Sequence, residues 1–226
     1  MKHRKRFYSP LCLILAAALG SCVGVRADIV MKADGSGAVT LEYRLSKLAE
    51  SLGKLDGNER WPAVPAGRAD FERAAARVPG LNVRSFAAKQ EDDRTVMTVV
   101  LDFRDPAVLA RFLDMSGQRA SLTRKEDGAY CLALSLTSGS AGLDPELLSL
   151  FTAVTEGYDF SLAFTSPKGG TLSLADTGGA PLADTPDMAL VPAGKTVSFR
   201  SPVSSLFRLS NGASLTLTWQ AAPGTQ

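Results

Sequence analysis

Runs in which apolar and polar residues alternate, cut by glycine-bearing turns, restrict this chain to a sheet-rich fold. Between residues 158 and 165, Tyr158, Phe160, Leu162 and Phe164 alternate with Asp159, Ser161, Ala163 and Thr165, the two-residue period of a strand with one buried face. Val39, Leu41, Tyr43 and Leu45 repeat it after Asp34-Gly35-Ser36-Gly37, whose glycines permit the positive φ of a tight hairpin turn. A strand over 28–32 precedes that turn. Runs 81–90 and 94–104 pair around Asp92-Asp93, and Thr95 to Phe103 is the most apolar strand, expected at the centre of its sheet. Further strands are predicted at 118–124 and 129–137 around Glu126-Asp127-Gly128, at 171–174 after Lys168-Gly169-Gly170, and at 195–200 and 213–220.

Helical spacing interrupts these strands. Leu48, Leu52 and Leu55 predict a helix ending at Asp56-Gly57-Asn58, and Phe71, Ala74 and Ala75 predict one over 69–77. Asp105-Pro106 and Asp144-Pro145 each open another, because Asp caps free N–H groups and Pro suits the first turn. Residues 176–194, with Gly178, Gly179, Pro181, Pro186 and Pro192, read as loop. With no regular strand-helix-strand alternation, the predicted fold is α+β: curved antiparallel sheets packed with several helices. Their apolar interior is either solid core or a ligand-sized cavity, which pattern alone does not separate.

The chain opens on Lys2, His3, Arg4, Lys5 and Arg6, then an apolar run from Leu11 to Leu19, then Gly20-Ser21-Cys22. The run is too short to span a bilayer as a helix and has the layout of an export signal. Its end resembles the bacterial lipoprotein signal, in which cleavage precedes a cysteine whose thiol carries a diacylglycerol. Residues 1–21 are thus expected to be removed. The rest, 22–226, forms a single ectodomain in which 176–226 could be a β appendage, anchored through a palmitate-type lipid on Cys22. Its expected place is the cell envelope, at the periplasmic face of the inner or outer membrane or at the cell surface.

Cleavage changes what chemistry is available. It leaves 21 Lys plus Arg against 23 Asp plus Glu, so the formal charge of +2 becomes −2, and nucleic acid is not an expected partner. It removes His3, the only histidine, and with it any Ser-His-Asp, Cys-His or histidine-liganded metal site. With Cys12 gone and Cys22 acylated, Cys131 has no partner for an internal disulfide. Cys131 itself lies in a strand-like run and reads as a small buried apolar residue.

Few residues then recommend themselves for a site. Arg60-Trp61-Pro62 sits in a loop rich in Gly and Pro, and with Arg68, Phe71 and Phe112 it makes a candidate ligand-binding set: aromatics for apolar groups, arginines for lipid phosphates. Arg73, Arg77 and Arg84 could join them, although all of these arginines also read as solvated faces. Ser51 and Lys54 match the Ser-x-x-Lys spacing in which a desolvated lysine activates a serine, and they read more simply as an exposed helix end. Glu91-Asp92-Asp93 and Asp102 with Asp105 could hold a hard cation but already serve as turn and cap residues. No metal and no cofactor are expected.

Cys22, Ala27-Asp28-Ile29-Val30-Met31, the Asp34-Gly35-Ser36-Gly37 turn and Val39-Thr40-Leu41-Glu42-Tyr43 resemble the LppM-type family of bacterial lipoproteins over the N-terminal third of the chain. The resemblance implies an α+β ectodomain of lipid-binding type facing an envelope membrane, and it transfers no catalytic residue. The function expected is a membrane-anchored envelope lipoprotein that binds a lipid or other hydrophobic ligand. A histidine-free phospholipid or acyl-ester hydrolase, and an adhesin or envelope scaffold, stay open beside it.

Overall fold

The hairpin turn at Asp34 starts the architecture. Asp34 Oδ1 accepts from the Ser36 N–H at 3.0 Å and the Ser36 hydroxyl at 2.7 Å, and Gly35 takes φ 84°. These bonds hold the Asp34 carboxyl below the usual carboxylate range, and the turn joins β1 (Val23–Met31) to β2 (Gly37–Ser46) with Ile29 opposite Val39. The computed structural model describes residues 23–46, 67–92, 94–115, 119–141, 143–182 and 185–220. The predicted helix through Leu48, Leu52 and Leu55 lies outside them.

After β2 come α1 (Arg68–Ala76), β3 (Leu81–Gln90), β4 (Arg94–Phe103), α2 (Pro106–Leu113), β5 (Ala120–Arg124) and β6 (Ala129–Thr137). Then follow α3 (Pro145–Val154), β7 (Asp159–Thr165), β8 (Gly170–Ala175), β9 (Ala189–Ala193), β10 (Thr196–Pro202), α4 (Val203–Arg208) and β11 (Ala213–Gln220). The strands form a seven-stranded sheet, β3-β4-β2-β1-β7-β10-β9, and a four-stranded sheet, β5-β6-β11-β8. The fold is α+β, as expected, with open and largely antiparallel sheets.

Particulars depart from expectation for physical reasons. β1 and β7 run parallel, Ile29 facing Phe164; parallel neighbours need a long crossover, and the chain from β2 to α3 supplies it. β1, not β4, is the middle strand, although β4 has a neighbour on each side. β9 falls inside the predicted loop, its period masked by Pro192, which an edge strand tolerates because one side of it needs no N–H donor. The stretch 176–226 supplies β9 and β10 to one sheet and β11 to the other.

Residues 166–169 carry the chain from β7 in one sheet to β8 in the other. The Ser166 hydroxyl donates to the Gly169 carbonyl at 2.5 Å, and a Cβ at Gly170 would lie 3.0 Å from the Thr218 carbonyl and 3.7 Å from Phe164. The sheets thereby meet over one apolar cluster. Phe164 of β7 packs on Trp219 of β11 with ring centroids 5.1 Å apart, and Trp219 stacks on Tyr130 of β6 at 5.4 Å. Helix α2 begins as predicted, Asp105 Oδ1 accepting from the Val108 N–H at 2.9 Å, and Val108 and Leu109 are fully buried. Among the described residues, the outer face of the larger sheet carries a groove between β4 and β10.

Candidate functional site

On that outer face the two-residue period aligns charges as it aligns apolar groups on the inner one. Arg26 and Asp28 share it on β1, with Arg26 Nε 2.9 Å from Asp28 Oδ2. Glu42 lies opposite Arg26 in register and holds Arg44, Nη2 to Oε1, at 2.9 Å. Across β7, Arg200 of β10 donates to Asp159 Oδ2 at 2.6 Å, an interaction that raises the already high guanidinium pKa. Arg94 completes the set from the start of β4, 3.7 Å from Glu91.

These arginines line a groove of about 550 Å³, whose floor and walls also include Tyr158, Ser161 and Ser198. That size is within the range of small-molecule sites. Four arginines face three lining carboxylates, Asp28, Glu42 and Asp159. The side chains of Arg26, Arg44 and Arg200 are 62%, 55% and 70% exposed, so each pair is screened by water and an arginine can turn to another anion at little cost. Chemically the groove offers forked donors for phosphate or carboxylate, flanked by hydroxyls. A smaller concavity of about 290 Å³ lies between α1 and β3 at Glu72, Ala75 and Val83.

The residues singled out from sequence lie elsewhere. Arg68 is on α1, bound to Glu72 at 2.7 Å. Phe71, on the same helix, is buried between Tyr43 and Phe86 with centroid separations of 6.1 and 5.9 Å; burial pushes the Tyr43 phenol up to about 12. Phe112 is a half-buried residue of α2 packed on the apolar cluster. Cys22, Ser51, Lys54, Arg60 and Trp61 lie outside the described residues. Arg73 pairs with Asp70 and Arg84 with Asp102, so neither stands unneutralised beside α1.

Three of the acidic residues, Glu91, Asp102 and Asp105, have structural partners. Glu91 lies near Lys89 and Arg94, while Asp105 caps α2. Among the described residues no group of three or more His, Cys, Asp or Glu is placed to hold a metal ion. Cys131 is a half-buried free thiol on β6. Pattern alone does not single out the groove arginines, because the polar half of each alternating strand reads as the solvent side. The available signal was oppositely charged residues two apart, Arg26/Asp28 and Glu42/Arg44.

Fold and groove together define an α+β protein of two sheets, with an arginine-lined groove on the larger one. No protein-family model matches the chain, and no curated protein sequence does. Among solved structures, the folded domain of LppM from Mycobacterium tuberculosis, determined by NMR, is similar at a TM-score of 0.49 and 15% sequence identity, over 92% of this chain and 95% of that one. No described helix is long and apolar enough to cross a membrane.

Proposed function

We propose that the chain is a lipid-anchored protein of the bacterial envelope whose folded domain binds the headgroup of an anionic lipid in the groove on its larger sheet. The observation carrying this reading is the position of the groove. Gly24, Val25 and Arg26 line it, two to four residues from the cysteine that the signal marks for acylation. The forked donors of the four lining arginines suit a phosphate diester, and Tyr158, Ser161 and Ser198 offer hydroxyls to the polar remainder of its headgroup. The acyl chains of such a ligand stay in the bilayer, so the reading needs no cavity inside the protein.

Two measurements test it. Labelled palmitate should enter the full chain and not its Cys22→Ser variant; incorporation that persists in Cys22→Ser overturns the anchor. The domain from Val23 onward should sediment with vesicles containing one quarter phosphatidylglycerol several-fold better than with pure phosphatidylcholine. Equal binding to both compositions, or to neither, overturns the headgroup reading.

A further inference from the structure

We infer that the end of the seven-stranded sheet where β1 begins lies directly on the membrane, so that the protein stands on the bilayer in one orientation with a lipid surface as the partner of that rim. The inference rests on acylation of Cys22. Cys22 is bonded to Val23, and adjacent Cα atoms are about 3.8 Å apart. Val23 already pairs with Leu45, and from Val25 onward β1 is also held by β7 on its other side. No slack chain separates the expected lipid from the middle strand of the sheet.

The register identifies what shares that rim. Arg44 lies opposite Gly24, Arg94 opposite Ser46, and Pro202 opposite Asp159. The Val203 N–H donates to the Tyr158 carbonyl at 2.9 Å and starts α4 there. Lys89 and Glu156 are exposed at the same end. The opposite rim carries the Ala33 turn and Lys195, and β1, at roughly 3.3 Å per residue, keeps the two rims on the order of 30 Å apart. Charge does not choose the orientation: Arg44, Lys89, Arg94 and Arg200 are balanced near the lower rim by Glu91, Asp92, Glu156 and Asp159. The short tether does, and it places the mouth of the arginine groove against the headgroup layer.

The test uses the full acylated chain in a Cys131→Ser background, reconstituted into vesicles of phosphatidylcholine with one quarter phosphatidylglycerol. Single fluorophores go on Lys89→Cys and Glu156→Cys at the lower rim, and on Ala33→Cys and Lys195→Cys at the upper one. A quencher attached to lipid headgroups should quench the lower pair at least threefold more than the upper pair. Fifteen Gly/Ser residues inserted between Cys22 and Val23 should erase that difference. A chain that does not float with the vesicles overturns the anchoring, and the orientation with it. A floating chain with all four labels quenched alike, with the upper pair quenched more, or with a difference that survives the inserted linker, overturns the orientation alone.

Discussion

Along β1, Ala27, Ile29 and Met31 turn inward and are at most 6% exposed, while their neighbours Arg26 and Val30 turn outward, Val30 being half exposed. The same division runs through β2, β4, β7 and β10, so one set of strands builds two unlike surfaces. Inward, Val39, Leu101, Phe164 and Phe199 are within 1% of complete burial and belong to one apolar cluster with Leu215, Leu217 and Trp219 of the four-stranded sheet. Outward, arginines and carboxylates pair across neighbouring strands in water. Burial of apolar area stabilises strongly and exposed ion pairs contribute little. Stability should therefore reside on the inner face, and ligand contact on the outer.

The largest expected effect tests the inner face. Phe164 is completely buried, opposite Ile29 and Val197 and against the Trp219 ring. Phe164→Ala should lower unfolding free energy by about 3–5 kcal/mol, measured by urea denaturation of the soluble domain. A loss under about 1 kcal/mol would mean that the two sheets are not one cooperative core.

Backbone crowding comes next. Gly212 has φ 71°, and a Cβ there would sit 2.3 Å from the Thr137 carbonyl oxygen; Gly139, at φ 94°, meets Ser210 and Gly212 in the same way. Gly212→Ala should lose on the order of 2 kcal/mol or more, since left-handed strain and overlap add. Gly128, at φ 81°, has open space where its Cβ would be. Gly128→Ala should therefore lose only about 1 kcal/mol. Equal losses would show that conformation, not the close approach of the 137–139 and 210–212 segments, sets the requirement.

Helix α2 gives a smaller, pH-dependent effect. Burial tends to raise the Asp105 pKa, but the Val108 N–H and Arg104 outweigh it, leaving the carboxyl below its usual value. A carboxyl depressed by folding stabilises fully above its unfolded pKa, near 3.9, and ceases to do so as pH falls through the folded value. Asp105→Ala should thus lose about 1 kcal/mol at pH 7, and the variant and parent should converge toward pH 2. A difference unchanged by acid would remove the cap from the account.

How far these features were legible in sequence follows from the range of the interactions behind them. The Asp34 turn, the Asp105 cap and the 120–137 hairpin involve residues a few positions apart, and the patterns around them predicted the elements closely. The β1–β7 pairing joins residues about 135 positions apart, and periodicity does not encode which strand lies beside which. Phe71 reads as a ligand contact in sequence because an apolar stripe looks the same whether it meets ligand or core; packing against Tyr43 and Phe86 is a tertiary fact. The groove is also tertiary. Arg26, Arg44, Arg94 and Arg200 come from four strands and share a face only after β7 enters the sheet.

The smallest effect on stability should accompany the largest on binding, and it bears most directly on the division between faces. Arg26→Gln with Arg200→Gln leaves the inner face untouched and removes two exposed cations whose carboxylate partners remain solvated. The urea midpoint should stay within measurement error of the parent. Sedimentation with phosphatidylglycerol vesicles should fall about tenfold, because two forked donors to phosphate are lost together. Arg68→Gln with Arg73→Gln removes the same charge from α1, outside the groove, and separates groove contact from a general loss of positive charge. If the α1 pair weakens binding equally, attraction is diffuse and the groove is no headgroup site. If the groove pair instead lowers the urea midpoint substantially, the outer ion pairs hold the sheet together, and the division between a stabilising face and a binding face fails.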